Sequence, residues 1–214
     1  MNSIYVPEWF KEDRLSVLRD AIDHISFGTL VTMTKDGLLA SHIPMILKRV
    51  EGTSGTLQGH IARANIQWRN SLPEIEGLAM FVGPHAYVSP SWYKSKEETG
   101  KVVPTWNYIA VHATGALRFI TDTEWLRGLV TRLTMNFEEG LEIPWKVSDA
   151  PREYIDQELK AIVGFELQIR QIEGKWKLSQ NRIQPDREGV INGLKNRGVG
   201  HDRAIAKEME SREN

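Results

Sequence analysis

The 214-residue sequence contains no cysteine, which excludes a disulfide framework, cysteine-ligated zinc and thiol catalysis. It has no apolar run long enough to cross a membrane and no secretory pattern at its start, so a cytoplasmic protein is the default expectation. It also lacks an excess of either charge: 27 Lys+Arg stand against 28 Asp+Glu, a net charge of −1. There is therefore no global electrostatic pull toward nucleic acid. No glycine-rich phosphate loop, Gly-x-Ser-x-Gly elbow or dinucleotide fingerprint occurs. His42, His60, His85, His112 and His201 form no helical i, i+4 pair, and no metal site is expected. No internal repeat or low-complexity segment is found.

What the sequence does have is a run of aromatics and prolines over residues 81–108, including Tyr87, Trp92, Tyr93, Trp106 and Tyr108 with Pro84, Pro90 and Pro104. The apolar run 78–82 reads as a buried strand stopped by Gly83-Pro84. Pro90 and Pro104 bias their preceding residues toward extended backbone. Residues 94–101, charged and aperiodic, read as a surface loop. The rings thus sit where strands meet loops, which suits a planar ligand, a core edge or a subunit contact.

Along the chain, residues 4–10 form an apolar arm. Leu15, Leu18, Ile22 and Ile25 then recur at helical spacing, with Gly28 as a plausible stop. Strands over 29–34 and 38–47 flank the hairpin signal Lys35-Asp36-Gly37, and Pro44 suggests an edge or bulge. Residues 56–62 alternate Leu57, Gly59 and Ile61 against Gln58 and His60, and 63–68 turn. The clearest strand covers 106–120, where Ile109, Val111, Ala113, Leu117 and Phe119 face one way and Trp106, Tyr108 and His112 the other. A capping box at residues 121–124 opens a helix that ends at Gly140. A further helix runs from Pro151 to about residue 161. A strand over 163–172 follows, with a turn at Glu173-Gly174 and a short strand at 176–178. The tail from Pro185 is helical and broken at 198–200. Six or so strands joined mostly by hairpins, with peripheral helices, predict a mainly β, antiparallel barrel.

Three polar segments fall at strand ends: 60–68, the aromatic stretch and 177–182. A phosphorylated planar cofactor needs a cation on its phosphate, hydroxyls beside it and a flat surface against its ring. Arg63 and Lys177 offer charge, Ser89 and Thr105 hydroxyls, and Trp92 or Trp106 a flat face. Asn65, Asn107 and Gln180 offer amides to ring carbonyls and nitrogens. Against this stand plainer roles, with Arg63 as a surface charge and Asn65 as a helix cap. His60 and His112 read first as hydrogen-bonded barrel residues, and as axial ligands only if the planar ligand is haem.

Ile4-Tyr5-Val6-Pro7, Gly59-His60-Ile61-Ala62-Arg63-Ala64-Asn65 with Gln67-Trp68, the run from Gly83 to Tyr93, Val103-Pro104-Thr105-Trp106-Asn107-Tyr108 and Lys177-Leu178-Ser179-Gln180-Asn181-Arg182 together resemble the PaiB-like family of FMN-binding negative transcriptional regulators. The likeness runs to about Gly193. It departs at Ile66, where the family pattern leads one to expect proline. The resemblance implies a split β-barrel related to flavin reductases and pyridoxamine phosphate oxidases, as a homodimer with FMN at the subunit interface. It implies cofactor contacts at Arg63, Asn65, Ser89, Trp92, Thr105, Trp106, Asn107, Lys177 and Gln180.

The expected organisation is a barrel domain over residues 1–182 and a helical tail over 183–214. The expected function is an FMN-binding transcriptional regulator, acting directly or indirectly. An FMN-dependent oxidoreductase and a haem-binding barrel are the alternatives, and no catalytic residue is assigned. Direct DNA contact would fall to the tail, with Arg182, Arg187, Lys195, Arg197, Arg203 and Lys207. Asp186, Glu188, Asp202 and Glu208 are interspersed there, however, which reads as a solvated helical face.

Overall fold

Hydrophobic alternation and turn chemistry build most of the chain into antiparallel strands, seen in a computed structural model that describes residues 3–212. In order, the elements are β1 (Lys11–Glu12), α1 (Leu15–Ile25), β2 (Phe27–Thr34), β3 (Gly37–Pro44), β4 (Ile46–Lys48), β5 (Thr56–Ala62), α2 (Gln67–Asn70) and β6 (Gly77–Val88). They continue with α3 (Ser95–Thr99), β7 (Thr105–Ile120), α4 (Thr123–Glu138), α5 (Arg152–Leu159), β8 (Ile162–Lys177), α6 (Gln184–Arg197) and α7 (Asp202–Glu210). The strands join in the order β3-β2-β6-β7-β8-β5-β4, with β1 on β8. The described chain divides into two units. The first holds the chain up to Leu18, residues 82–111 and the chain from Glu173 onward, and the second holds Arg19–Phe81 and His112–Ile172.

In the second unit, Thr34 pairs with Gly37 across the two-residue turn Lys35-Asp36, as the hairpin signal predicts. Thr34 donates through its hydroxyl to the Gly37 carbonyl at 2.9 Å, and Gly37 has φ of 115°. That φ is one glycine adopts without a Cβ clash. β3 and β4 stand at opposite ends of the strand order, yet only Met45 separates them in the chain. One residue spans about 3.5 Å, so the sheet must curl until its two ends meet. Met45, 1% exposed, sits at that closure. Gly59 lies beneath it: a Cβ there would be 3.0 Å from the Pro44 carbonyl oxygen and 2.7 Å from the Phe165 ring. The core of this unit is the alternating inward set Leu30, Leu57, Ala79, Phe81, Ala113, Val163, Phe165 and Leu167. α4 adds Leu126, Leu129 and Leu133, and its N-terminus is capped by Asp122, whose carboxylate accepts from the Trp125 amide at 2.7 Å.

Three expected breaks are not breaks. Gly83-Pro84 does not stop β6, because β2 pairs only with Leu78, Ala79 and Met80. Pro84 lies beyond that register, where its missing N–H removes no bond to β2. Glu173-Gly174 does not turn, and β8 runs through to Lys177. Gly174 is there for close approach: a Cβ would stand 2.3 Å from Leu18 Cδ2. Gly28 lies inside β2 rather than ending α1; Ser26, with φ of 50°, makes the turn. Residues 94–101, expected as loop, contain the short helix α3.

In the first unit, β1 pairs with β8 through Lys11–Lys175 and Glu12–Gly174. Phe10, Tyr93, Trp176, Leu178, Val190, Leu194, Ile205 and Met209 are buried there. Gly198 (φ 59°) and Gly200 (φ 52°) break the tail between α6 and α7, as expected.

Candidate functional site

The first unit holds a cleft of about 150 Å³ whose walls include Phe10, Tyr93, Thr105, Asn107, Lys177, Ser179 and Arg182. Thr105 and Asn107 come from the start of β7, Lys177 from the last position of β8, and Ser179 and Arg182 from the turn that follows. β7 alternation explains the placement. Asn107 shares its parity with Ile109 and Val111 and is fully buried, whereas Trp106 is 53% exposed. The Asn107 amide nitrogen donates to Ser179 Oγ at 3.0 Å, and the Ser179 hydroxyl is 3.2 Å from Asn107 Oδ1. Ser179 adopts φ of 64°, an uncommon conformation for a residue with a side chain. The Lys177 ammonium donates to the Thr105 hydroxyl and to the Trp106 carbonyl.

The cleft is electropositive. Burial, together with Lys175 and Arg182, lowers the Lys177 pKa below that of an ordinary lysine. Arg182 lies over the Tyr93 ring at 4.7 Å. The Tyr93 hydroxyl is buried without a hydrogen-bond partner of good geometry. Burial raises its pKa, the neighbouring Arg182 opposing and Asp186 adding to that shift. A half-buried Lys177 whose charge is disfavoured by neighbouring cations, beside hydroxyls, is chemistry suited to a phosphate or another oxyanion. The size suits part of a ligand, since pockets that enclose a whole cofactor occupy about 300–1,000 Å³.

Of the sequence-predicted residues, this cleft brings together Thr105, Asn107 and Lys177. Trp106 lies on the opposite face of β7, edge-on to Tyr87 at 6.1 Å and tilted to His85 at 6.2 Å. The Gln180 side chain closes its own turn, accepting from the Leu178 amide at 2.7 Å and donating to the Trp176 carbonyl at 2.5 Å. Ser89 caps a 3-10 turn, accepting from the Ser91 amide at 3.2 Å. Trp92 packs on α6, whose Gly189 and Gly193 leave room for its carbonyl and ring. The Arg197 guanidinium covers that ring at 4.9 Å.

Arg63 and Asn65 belong to the second unit. Arg63 donates to the carbonyls of Lys160 (2.6 Å) and Ile162 (3.0 Å). Asn65 donates to Ser41 Oγ at 2.8 Å and accepts from the Gln67 amide at 2.9 Å, the capping role available to it locally. Ile66 has φ of −69°, the value a proline ring would fix, so the turn accommodates the departure. Gln67, fully buried, holds the loop by donating to the carbonyls of Leu30 and Leu39 and to Thr32 Oγ1.

Sequence reasoning did not nominate Phe10, Tyr93, Ser179 or Arg182. The last two stand inside the quoted segment 177–182, so proximity to Lys177 was the available signal. Tyr93 stands in the aromatic stretch and Phe10 in the apolar arm 4–10, but nothing local singled out either as a wall of this cleft. His60 Nδ1 is buried without a hydrogen-bond partner, and burial lowers that imidazole's pKa. Among the described residues no group of three or more His, Cys, Asp or Glu could hold a metal ion, and no helix is long and apolar enough to cross a membrane.

Comparison with solved structures supports the architecture. The flavocytochrome Anf3 from Azotobacter vinelandii superposes with a TM-score of 0.58 at 12% identity, covering 82% of this chain and 74% of that one. The FAD and heme binding protein from Mycobacterium smegmatis gives 0.56 at 17% identity, covering 78% and 73%. The fold is an antiparallel split β-barrel with peripheral helices. In sequence, the chain is 34% identical to the Protease synthase and sporulation protein PAI 2 of Bacillus subtilis, over 98% of each chain. It is also 34% identical to an uncharacterized protein of Emericella nidulans, over 98% of this chain and 97% of that one. Residues 4–171 match the family described as "Putative FMN-binding domain". The chain belongs to that FMN-binding domain family and is PaiB-like along its whole length.

Proposed function

We propose that this chain binds FMN through its phosphate end in the Lys177 cleft. The observation that carries the reading is the convergence of Lys177, Arg182, Thr105 and Ser179 on one small electropositive cleft. Lys177 and Arg182 would face the phosphate, and the hydroxyls of Thr105 and Ser179 would complete its hydrogen bonds. When bound, the flavin supplies a redox-active ring, while the residues named here bind and orient it. A cleft of about 150 Å³ takes the phosphate and part of the ribityl chain, so the ring needs further walls. A homodimer would provide them, with the cofactor at the subunit interface. Arg63 and Asn65 are engaged within their own unit, and the proposal rests on the cleft without them. The barrel is taken as residues 1–182, and the tail as 183–214.

A regulatory role is suggested by the resemblance to PaiB-like regulators, which the likeness to PAI 2 supports, and is proposed as an indirect one. Two of the tail's basic residues are paired within it, Lys195 with Glu210 and Arg197 with Asp202. Acidic residues are interspersed among the others, which supports an indirect role over direct contact with a phosphate backbone.

The test is titration of the purified protein with FMN and, separately, riboflavin, followed by flavin fluorescence. FMN should bind and riboflavin, lacking the phosphate, should bind at least tenfold more weakly. Equal affinities would overturn the phosphate assignment. A Soret band on adding haemin, with no flavin uptake, would move the reading to haem. NADPH-driven bleaching of bound flavin over many turnovers would make it an oxidoreductase.

A further inference from the structure

We propose that a groove in the second unit, formed by α4, the 3-10 turn Val147–Asp149 and α5, binds a small organic oxyanion with an apolar body. The groove has a volume of about 740 Å³, within the range of about 300–1,000 Å³ typical of small-molecule pockets. It is built from residues other than those of the Lys177 cleft. On α4, Arg127, Thr131 and Thr134 recur at helical spacing and line one wall. The opposite wall is fixed to α4 by the Trp145 amide, which donates to Glu138 Oε2 at 2.8 Å. The Lys146 amide donates to Asp149 Oδ2 at 2.9 Å and sets the 3-10 turn.

The lining joins three cations, Arg127, Lys146 and Arg152, to hydroxyls of Thr134 and Ser148 and to the apolar side chains of Met135 and Ile155. One carboxylate, Glu124, also lines it. Arg127 is the anchor. Its Nη2 is held by Asp156 of α5, which fixes the guanidinium in place. Its Nε is buried and makes no hydrogen bond. The Glu124 oxygen stands 4.0 Å away on a side chain 80% exposed, too far to accept. The Arg127 side chain is about one quarter exposed and its guanidinium is not saturated by Asp156, so an oxyanion in the groove would add a charge-assisted hydrogen bond to it. Arg152 and Lys146 add positive charge at the rim, and Met135 and Ile155 give the body of the ligand an apolar contact. A groove of this volume with its own polar anchor suits a small molecule, and an acidic peptide is an outcome of the test.

The experiment is calorimetric titration of the full chain with 1-naphthyl phosphate, 1-naphthoate and uncharged 1-naphthalenemethanol. The two anions should bind once per chain, and the alcohol at least tenfold more weakly. Whichever anion binds more tightly identifies the headgroup as phosphate ester or carboxylate. Arg127→Met should weaken the anions at least tenfold. Because it also removes the partner of Asp156, a second variant guards against misfolding: Thr134→Trp should fill the groove and abolish binding while far-UV dichroism stays unchanged. With FMN at saturation, which by the proposed function fills the Lys177 cleft, naphthyl phosphate should still bind once per chain, and a loss there would place the probe in the other cleft and overturn the proposal. Equal binding of alcohol and anions, full affinity in folded Thr134→Trp, or saturation by an acidic peptide alone would each overturn it as well.

Discussion

The Lys177 ammonium donates to the hydroxyl of Thr105, a residue 72 positions earlier in the chain. The contact fixes the end of β8 against the start of β7 with a half-buried cation between them. Lys177→Met should raise the Kd for FMN on the order of 10–100-fold, the loss of a charge-assisted hydrogen bond worth roughly 1.5–3 kcal/mol. Riboflavin affinity should change far less. Burial, with Lys175 and Arg182, depresses this lysine's pKa, so FMN affinity should fall with rising pH before an ordinary lysine would titrate. Fluorescence titrations between pH 7 and 10 measure both effects, and a wild-type curve flat across that range would remove Lys177 from the phosphate.

Glu12 is almost fully buried and is held between Arg14 and Arg212. Burial alone would raise its pKa, but hydrogen bonds from the two arginines prevail and bring it to about 2. The folded value lies below the unfolded one. The carboxylate therefore contributes stability that is complete above about pH 4.5 and is lost as pH falls toward 2. Glu12→Gln should destabilise the protein by roughly 2 kcal/mol at neutral pH and by little near pH 2. Urea midpoints of both proteins at pH 7 and pH 2.5 give the comparison. A difference that persists at the acid end would place the effect in packing instead of charge.

Much of the barrel is legible because its signals are local. Lys35-Asp36-Gly37 marks its hairpin and the alternation of Ile109, Val111 and Ala113 marks β7. The polar run 121–124 marks the start of α4, although the cap is Asp122 and not the Thr121 of the expected capping box. Closure at Met45 is not legible, since nothing in the sequence around Pro44 says that the next strand joins the far end of the sheet. Gly83-Pro84 misreads as a strand stop and Glu173-Gly174 as a turn, the latter because a glycine needed for close approach resembles one needed for a turn. Only a neighbour, Leu18 for Gly174, distinguishes them. The site shows the same division. Lys177 and Thr105 could be nominated by residue type, but their meeting, and the burial of Tyr93 beside Arg182, depend on pairings distant in sequence. Trp92 has the chemistry of a flavin contact, yet its surroundings are the glycines of α6.

Gln67 looks like an ordinary polar loop residue in the sequence. In the fold its amide is fully buried, with the nitrogen near two carbonyls and Thr32 Oγ1 and the oxygen accepting from Ser41 at 2.6 Å. Gln67→Leu would keep most of the volume but leave those acceptors and the Ser41 hydroxyl short of partners. The expected loss is on the order of 3 kcal/mol, read as a lower midpoint in chemical unfolding. Ser41→Ala should cost less, about 1 kcal/mol, because it leaves the amide nitrogen's bonds intact. The reverse ranking would mean that the network is not centred on Gln67.

Gly193 tests the role of Trp92 directly. A Cβ at Gly193 would stand 2.3–2.5 Å from three atoms of the Trp92 ring. In an open helix, Gly→Ala would stabilise by about 1 kcal/mol. Here the overlap should dominate, and Gly193→Ala should destabilise by about 1–3 kcal/mol and alter the near-ultraviolet dichroism of tryptophan. Trp92→Ala should also lower stability while leaving the FMN Kd within about twofold. In the Trp92→Ala background the obstacle is gone, so adding Gly193→Ala should reverse sign and raise stability toward the ordinary helix gain. The double-mutant cycle isolates that single contact. Destabilisation by Gly193→Ala in both backgrounds, or a large loss of FMN affinity in Trp92→Ala, would return the ring from helix packing to the cofactor.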